Sequence, residues 1–221
     1  MARDGAQTRG RILDGAESLI LDRGLAGTSV DDVIAASGTS KGAFFHHFPT
    51  KNHLAKALVE RYAEADVAFL EEFMVRAESE SDDPAEQLVA FIRLFEEAAD
   101  EIVAQQPSCL YVSYIYEKQL FDDGTNEVIA GALRAYRERI AEKIRDAQEL
   151  HPPTFPIEPV VLADHLTVTF EGAFVLTRAL RDPSLMRSQL ALVRRLVEAL
   201  FAIAPRGDAR PATIGSHPEA L

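Results

Sequence analysis

The segment SKGAFFHHFPTK, residues 40–51, concentrates side chains of types that can contact nucleic acid. Ser40 is followed by a lysine and two small residues, and two adjacent histidines come after a pair of phenylalanines. If the segment is helical, Phe44 and Phe48 lie four residues apart and pack inward. The other side is small and carries donors at its edges, so it can approach base edges and phosphates closely. The residues on that side are Gly42, Ala43, His46 and His47.

Two short helices joined by a glycine turn are needed to position this surface. Residues 29–36 carry apolar side chains at the spacing of one helical face. Gly38 follows, and glycine tolerates the left-handed conformation that a helix C-terminus often needs. Thr39 or Ser40 caps a second helix over residues 41–48, and a proline ends it. This is the pattern of a helix-turn-helix, which places its second helix in the major groove of DNA.

The rest of the chain shows the apolar period of amphipathic helices and no convincing strand. We therefore predict an all-α protein with an N-terminal three-helix helix-turn-helix domain and a larger C-terminal helical domain. The predicted domains are residues 1–52 and 53–204, followed by a flexible tail over 205–221. The other predicted helices cover residues 8–23, 51–77, 84–105, 107–120, 126–150, 158–180 and 184–204.

The charge of the chain is distributed unevenly. The net charge is −12, yet residues 1–55 hold six basic and six acidic side chains. Residues 56–221 therefore carry 17 basic against 29 acidic side chains, which is the entire excess. The acidic part should be repelled from DNA and so turn the N-terminal end toward the duplex. A neutral N-terminal end implies modest non-specific affinity and dependence on a few well-placed contacts.

The composition is typical of a soluble globular protein, with 47% hydrophobic and 26% charged residues. We expect no apolar run of membrane-spanning length and no signal peptide, because the N-terminus lacks a hydrophobic core. A single cysteine leaves no intrachain disulfide framework. These features predict a cytoplasmic protein.

The N-terminal fifty or so residues resemble the DNA-binding domain of the TetR family of bacterial transcriptional repressors. The order and spacing of the matching residues hold over this whole segment, about a quarter of the chain, and the remainder agrees only in general layout. Phe45 departs from the pattern, because many members carry there a tyrosine whose hydroxyl reaches a phosphate. The matching residues are Thr8-Arg9, Ile12-Leu13, Gly24, Thr28-Ser29, Ile34, Gly38, Ser40-Lys41-Gly42, His47-Phe48 and Lys51.

This resemblance implies a homodimeric transcriptional regulator that binds double-stranded DNA. A repressor that binds a palindromic operator and is released by a small ligand is the expected form, and an activator is the variant within the same class. The resemblance implies base-proximal roles for Lys41, Gly42, Ala43 and His46. It implies phosphate contacts for Arg9, Thr28, Ser40, His47 and Lys51.

The C-terminal module of this family usually encloses a small-molecule site, and aromatic residues cluster in the inner predicted helices of this chain. Aromatics at helical spacing are more often core residues, but a buried tyrosine hydroxyl needs a partner. Tyr111 and Tyr114 share a helical face and rank first. A largely apolar or aromatic ligand is expected. The predicted wall consists of Phe73, Phe91, Phe95, Tyr111, Tyr114, Tyr136, Phe170 and Phe174.

The last two predicted helices have wide apolar faces. These faces either complete the core of the monomer or pack against a second copy as a four-helix bundle. The resemblance favours the dimer, and one short recognition helix reads too few base pairs for useful specificity. The predicted interface residues are Leu166, Phe170, Phe174, Leu192, Leu196 and Leu200.

Cys109 has two interpretations. It is either a small buried hydrophobe, inert unless its pKa is lowered, or a thiol activated by a helix N-terminus. The surrounding segment resembles the Gly-Cys-Leu segment of family members that sense electrophiles or oxidants, although Ser108 replaces the glycine. A redox or electrophile sensor is therefore an alternative function.

We predict no metal, no cofactor and no enzymatic activity. His46 and His47 are adjacent and point apart, whereas a metal needs ligands on one face. The sequence contains no phosphate loop, nucleophile elbow or paired-carboxylate arrangement. Two rival classes stay open. One is a helical ligand-binding protein or enzyme with an unused N-terminal domain, and the other is an interaction protein whose acidic part docks a partner.

Overall fold

The computed structural model describes residues 2–105, 110–115 and 123–203, and every regular element in these ranges is an α-helix. The prediction of an all-α protein is confirmed. The helices are α1 (Ala2–Arg23), α2 (Val30–Ser37), α3 (Lys41–His47), α4 (Lys51–Glu78), α5 (Pro84–Gln105), α6 (Leu110–Ile115), α7 (Asp123–Leu150), α8 (Pro159–Leu180) and α9 (Ser184–Leu200).

Apart from α6, whose flanking residues lie outside the described ranges, three helix boundaries differ from the predictions by three residues or more. α1 begins six residues earlier than predicted, and α7 begins at Asp123, three residues before the predicted start. Asp123 and Gly124 are the first two residues of α7, and the helix dipole favours negative charge in a first turn. α9 ends at Leu200, and Ala202 then takes a left-handed φ of 53°, through which a helix does not continue.

The described chain divides into two compact units. The N-terminal unit comprises residues 2–65, 110–115 and 123–132, and the C-terminal unit comprises residues 66–105 and 133–203. The division falls inside α4 and inside α7 rather than in a loop. The predicted tail over residues 205–221 lies outside the described part of the chain.

The core of the N-terminal unit forms where α1 packs against α2 and α3. Large apolar side chains from α1, α3 and the first turns of α4 are almost fully buried there. Burying each of them stabilises the fold by roughly 1.5–3 kcal/mol relative to exposure. They include Ile12, Leu13, Ile20, Phe44, Phe48, Leu54 and Leu58.

The C-terminal unit has a core built from α5, α8, α9 and the parts of α4 and α7 that belong to it. α9 packs against both α5 and α8. Lys143 makes a buried polar contact within this unit: it donates from Nζ to Gln87 Oε1 at 2.6 Å and to Glu78 Oε1 at 2.9 Å. Buried charges need such partners, so this lysine fixes α7 relative to α4 and α5.

α8 corrects one sequence-based expectation. By length and composition alone, Pro159–Leu180 is apolar enough to cross a membrane, although no run of that kind was expected. Only a third of its most apolar window is buried. A single helix of this kind is weak evidence for a membrane, because core helices of soluble proteins meet the same criterion. The finding shows that α8 exposes much of its apolar surface.

Candidate nucleic-acid interface

A capping box fixes the start of α2. The Ser29 hydroxyl accepts a hydrogen bond from the Asp32 amide at 3.1 Å, and the Asp32 carboxylate accepts one from the Ser29 amide at 3.0 Å. Hydrogen bonds from the Ser29 hydroxyl and amide hold the pKa of Asp32 below its ordinary value. Both groups satisfy amides that the helix leaves open at its first turn.

The turn between α2 and α3 depends on one glycine. Gly38 has φ 60° and ψ 32°, the left-handed conformation that side chains other than glycine rarely adopt. A Cβ atom at Gly38 would meet no neighbour within 4 Å, so the conformation and not the space requires glycine. Ser40 then caps α3, since its hydroxyl accepts a hydrogen bond from the Ala43 amide at 3.2 Å.

α3 presents one face to the core and one to the outside. Phe44 and the capping residue Phe48 are buried against α1 and α2, as the spacing predicts. Ala43 and His47 are half-buried. The exposed residues of the helix are Lys41, Gly42, Phe45 and His46.

This exposed face contains groups with different chemistry. The Lys41 ammonium lies 3.8 Å from the Asp31 carboxylate of α2, and both side chains are exposed. The rings of His46 and His47 meet edge to face, with centroids 5.2 Å apart. Phe45 adds an exposed aromatic ring to this face, although it was not among the predicted interface residues. Phe44 and Phe48 have the four-residue spacing of a buried helical face. That spacing does not say on which face Phe45 lies.

Two predicted phosphate ligands lie on helices next to α3. Arg9 of α1 is exposed, and its guanidinium carbon lies 5.4 Å from the centroid of the Phe48 ring. Lys51 is the first residue of α4, and its Nζ donates to the Leu25 carbonyl oxygen at 2.5 Å. The Lys51 side chain therefore also joins α4 to the turn that follows α1, a contact across 26 residues that periodicity alone does not reveal.

Thr28 has a structural role. The residue is 1% exposed, and its hydroxyl donates to the Gly24 carbonyl oxygen at 2.8 Å. Its side chain is thus not available to the phosphate contact that the resemblance implied.

The predicted aromatic wall is divided between the two units. In the C-terminal unit, successive phenylalanine rings are in contact, with centroids 4.4 to 5.7 Å apart. Most of these rings are buried, and together they form part of the core. The connected rings are those of Phe69, Phe73, Phe91, Phe95, Phe170 and Phe174.

The three predicted tyrosines differ in their surroundings. Tyr136 packs against the core of the C-terminal unit, and its hydroxyl donates to the Asp66 carboxylate at 2.9 Å. Tyr111 and Tyr114 are buried in the N-terminal unit, where the Tyr111 ring meets Tyr62 edge-on at 4.9 Å between centroids. The structure therefore groups six of the eight predicted residues in one unit.

α8 and α9 leave apolar side chains in contact with solvent. Leu192 and Leu196 on α9 are 52% and 54% exposed, and they stand one helical turn apart. α8 adds valines at seven-residue intervals, together with two leucines in its last turns. The exposed large apolar residues of α8 are Val160, Val161, Val168, Val175, Leu176 and Leu180.

Four other predicted interface residues point elsewhere. Leu166, Phe174 and Leu200 are buried in the core of the C-terminal unit, and Phe170 is half-buried against it. These side chains already contact their own unit and are not available to a second copy. The exposed valines of α8 were not among the predicted interface residues, because α8 is apolar on more than one face.

Cys109 lies outside the residues that the structure describes, as do most of the flanking positions in its predicted helix. Within residues 2–105, 110–115 and 123–203, no group of three or more histidine, cysteine, aspartate or glutamate side chains is placed to hold a metal ion.

Residues 12–58 match the family model of bacterial regulatory proteins, tetR family. The matched stretch begins in α1, contains α2 and α3, and ends in α4. It therefore includes the exposed face of α3 and the turn that presents it. Over this stretch the chain resembles the DNA-binding segment of the TetR family of bacterial regulatory proteins.

Named transcriptional regulators extend the likeness beyond this segment. Transcriptional regulator AcuR of Cereibacter sphaeroides is 25% identical over 159 residues, which are 71% of this chain and 69% of that protein. The HTH-type transcriptional repressor NemR of Escherichia coli K12 is 24% identical over 193 residues, 86% of this chain and 94% of NemR. These matches confirm a DNA-binding transcriptional regulator.

Solved structures agree with the fold. A TetR-family regulator from Agrobacterium tumefaciens superposes with a TM-score of 0.73 at 22% identity, covering 89% of this chain and 99% of that one. The reduced form of NemR superposes with a TM-score of 0.66, also at 22% identity, covering 85% of this chain and 96% of that one. At these identities the superpositions support the fold alone.

Proposed function

We propose that this TetR-family regulator is a cytoplasmic homodimeric repressor that binds a palindromic operator through α3. A small, largely apolar or aromatic ligand bound in the C-terminal unit releases it from DNA. The observation that supports this proposal most directly is the outward face of α3, which a capped glycine turn presents to solvent. The named relatives are transcriptional regulators, which supports the cytoplasmic location.

The base contacts fall to the small and cationic end of α3. Lys41, Gly42, Ala43 and His46 are the base-proximal residues of the proposal. A Cβ atom at Gly42 would meet only Ser40 Oγ, at 4.0 Å, so the helix surface is low there and can approach base edges. Because Lys41 already lies near a carboxylate, DNA must exchange that ion pair for a contact of its own.

The phosphate contacts fall to the edges of the same surface. Arg9, Ser40, His47 and Lys51 are assigned to them, and Thr28 is left out because its hydroxyl is buried. Contacts of this kind position a protein on the duplex and carry no sequence information. They also make affinity fall as salt rises, since neutralised phosphates release counterions.

The dimer is supported by the exposed apolar residues of α8 and α9. Packing these helices against their copies would bury the side chains on both and form a four-helix bundle. Within the predicted interface, Leu192 and Leu196 keep their place, and the exposed residues of α8 take the place of the buried ones.

The ligand proposal is supported by the ring cluster of the C-terminal unit. The cluster supplies polarisable apolar surface, which suits an apolar or aromatic molecule. A ligand can weaken DNA binding only if its affinity differs between the DNA-bound and the free conformation. An effector that inserts among the rings would have that property, because it must displace their mutual contacts.

The test is fluorescence anisotropy with the full-length protein and labelled duplexes from the DNA that flanks its coding region, titrated at two salt concentrations. The proposal expects one duplex to bind far more tightly than a scrambled control, with two protomers per site. Lys41→Ala should abolish this preference, whereas Lys56→Ala, a lysine that pairs with Glu60 in its own helix, should not.

A uniform affinity for every duplex, including those from a random-sequence pool, would contradict the proposal. It would favour the rival class of ligand-binding proteins with an unused N-terminal domain. Stable capture of a different protein by the acidic C-terminal part, without DNA preference, would favour the interaction protein.

A second candidate is a regulator that responds to oxidants or electrophiles through Cys109. The observation that favours it is the likeness to NemR over 94% of that protein, whose superposed structure is of a reduced form. Treatment with N-ethylmaleimide should then release DNA from the wild type and leave Cys109→Ser bound. Equal release from both proteins would contradict a role for this cysteine.

A further inference from the structure

Phe45 stands on the outward face of α3 with 43% of its surface exposed. It follows Lys41 by four residues and Gly42 by three, so it shares one helical face with both. A single exposed phenylalanine is ordinary on a protein surface. The position of Phe45 is significant, because in the proposed function the outward face of α3 contacts the bases.

The ring of Phe45 packs against the ring of Phe44. The buried ring of Phe44 meets it edge to face, with centroids 5.2 Å apart and planes at 83°. Edge-to-face pairs of this kind are favourable beyond the area they bury. This contact favours the observed orientation of the Phe45 ring, which reduces the side-chain entropy lost on binding.

The chemistry of a phenyl ring limits what it can recognise in a major groove. It has no donor and no acceptor, so it cannot hydrogen-bond a phosphate or the polar edge of a base. The one apolar group on a base edge in that groove is the C5-methyl of thymine. Apolar side chains, including phenylalanine, contact this methyl in DNA complexes.

We propose that Phe45 is a specificity-determining residue that contacts the C5-methyl group of a thymine in each operator half-site. This inference rests on the proposed function, since it requires α3 to enter the major groove. The low surface at Gly42, one turn earlier on the same face, allows the close approach that a methyl contact needs. Lys41 and His46 flank the ring and supply the polar contacts that the ring lacks.

The experiment first selects binding sites from a random duplex pool with the full-length protein. Each thymine of the selected site is then replaced singly by deoxyuridine, which removes one methyl group and leaves base pairing unchanged. Wild-type protein should lose about fourfold in affinity when the contacted thymine of one half-site is replaced, the loss expected for one methyl-sized apolar group. Other thymines should show no such loss.

The decisive comparison is between protein variants on these duplex pairs. Phe45→Ala should bind the thymine and deoxyuridine duplexes equally, and Phe45→Leu should retain part of the preference. His46→Ala is the matched control: its affinity should fall on both duplexes while the thymine preference stays. Thermal unfolding of each variant verifies the fold, which an exposed side chain should not disturb.

Three outcomes would overturn the inference. A Phe45→Ala protein that keeps the wild-type ratio between thymine and deoxyuridine would exclude the methyl contact. A wild type that is insensitive to every deoxyuridine would do the same and leave the proposed function intact. No enriched site at all would overturn the proposed function together with the inference.

Discussion

Glu17 of α1 and Arg61 of α4 form an ion pair in which the carboxylate is buried and the guanidinium reaches the surface. Glu17 is 1% exposed, and the other nitrogen of the guanidinium donates to Asp14 at 2.6 Å. Within the described residues, Glu17 Oε1 has no hydrogen-bond partner. Burial raises the pKa of Glu17, although the charge and hydrogen bond of Arg61 oppose that effect. The pair therefore joins α1 to α4, but Arg61 satisfies only one of the two oxygens of the Glu17 carboxylate.

Removing one member of this pair should destabilise the protein strongly. Arg61→Met leaves the Glu17 carboxylate buried without its partner, so the free energy of unfolding should fall by about 3–5 kcal/mol. The double variant Glu17→Leu with Arg61→Met should recover most of this loss, because a buried pair and an apolar pair are often equally stable. Urea unfolding at pH 7 measures both. A single variant as stable as the wild type would show that the pair contributes nothing.

The raised pKa of Glu17 predicts a pH dependence with a definite sign. The folded protein binds a proton at Glu17 more readily than the unfolded chain does, so stability from this group is lost as pH rises from 4.5 through the raised pKa. Glu17→Gln cannot titrate. The unfolding free energy of the wild type minus that of Glu17→Gln should therefore decrease with pH across this window. Urea titrations at several pH values test it, and a difference that grows with pH would contradict the shift.

Local sequence patterns predicted the helix-turn-helix well. They did not predict contacts between residues that are far apart in sequence. Ser40 and Gly38 have the roles that their residue types suggest, because caps and turns depend on a few neighbouring amides. The contact from Lys51 to the Leu25 carbonyl joins residues far apart in sequence and leaves no periodic trace. Where a helix is apolar on several faces, as α8 is, periodicity does not say which face meets its own core.

The α8–α9 surface gives a prediction about assembly. The double variant Leu192→Glu with Leu196→Glu places charges in the proposed interface and should convert the dimer to a folded monomer. Operator affinity should then fall steeply, because one α3 helix reads only a half-site. Sedimentation velocity and anisotropy measure the two effects.

A control separates this effect from a general effect of surface charge. Leu150 at the end of α7 is 63% exposed, so Leu150→Glu introduces the same chemistry on a helix that is not part of the proposed interface. It should leave both the dimer and the affinity unchanged. A double variant that still sediments as a dimer would exclude this surface as the interface.

Two residues in the same left-handed conformation should respond oppositely to substitution. Gly38 has φ 60° and Arg181, which caps the end of α8, has φ 54°. Gly38→Ala should lower the free energy of unfolding by about 1 kcal/mol, the strain of a side chain in that conformation. Arg181→Gly should raise it by up to about 1 kcal/mol, since glycine carries no such strain. Thermal unfolding compares them, and changes of equal sign would contradict the argument.

Lys51 should show two separable losses. Lys51→Ala removes the proposed phosphate contact, so affinity should fall for all duplexes and the slope of affinity against salt should become shallower by about one. It also removes the hydrogen bond to the Leu25 carbonyl, which should lower the free energy of unfolding by about 1.5–3 kcal/mol. Salt titration and urea unfolding measure the two. Lower stability with an unchanged salt slope would leave Lys51 a purely structural role.

Because α8 and α9 expose apolar residues that a second protomer could cover, the stability of the protein should depend on its concentration in the cell. If two protomers fold and pair as one unit, their resistance to heat and proteolysis rises with concentration by mass action. A cell that holds few copies would then contain regulator that is both unpaired and short-lived. When expression stops, the operator would lose its bound protein faster than dilution alone predicts. The reason is that the α8–α9 surface determines both the stability of the protein and its affinity for DNA.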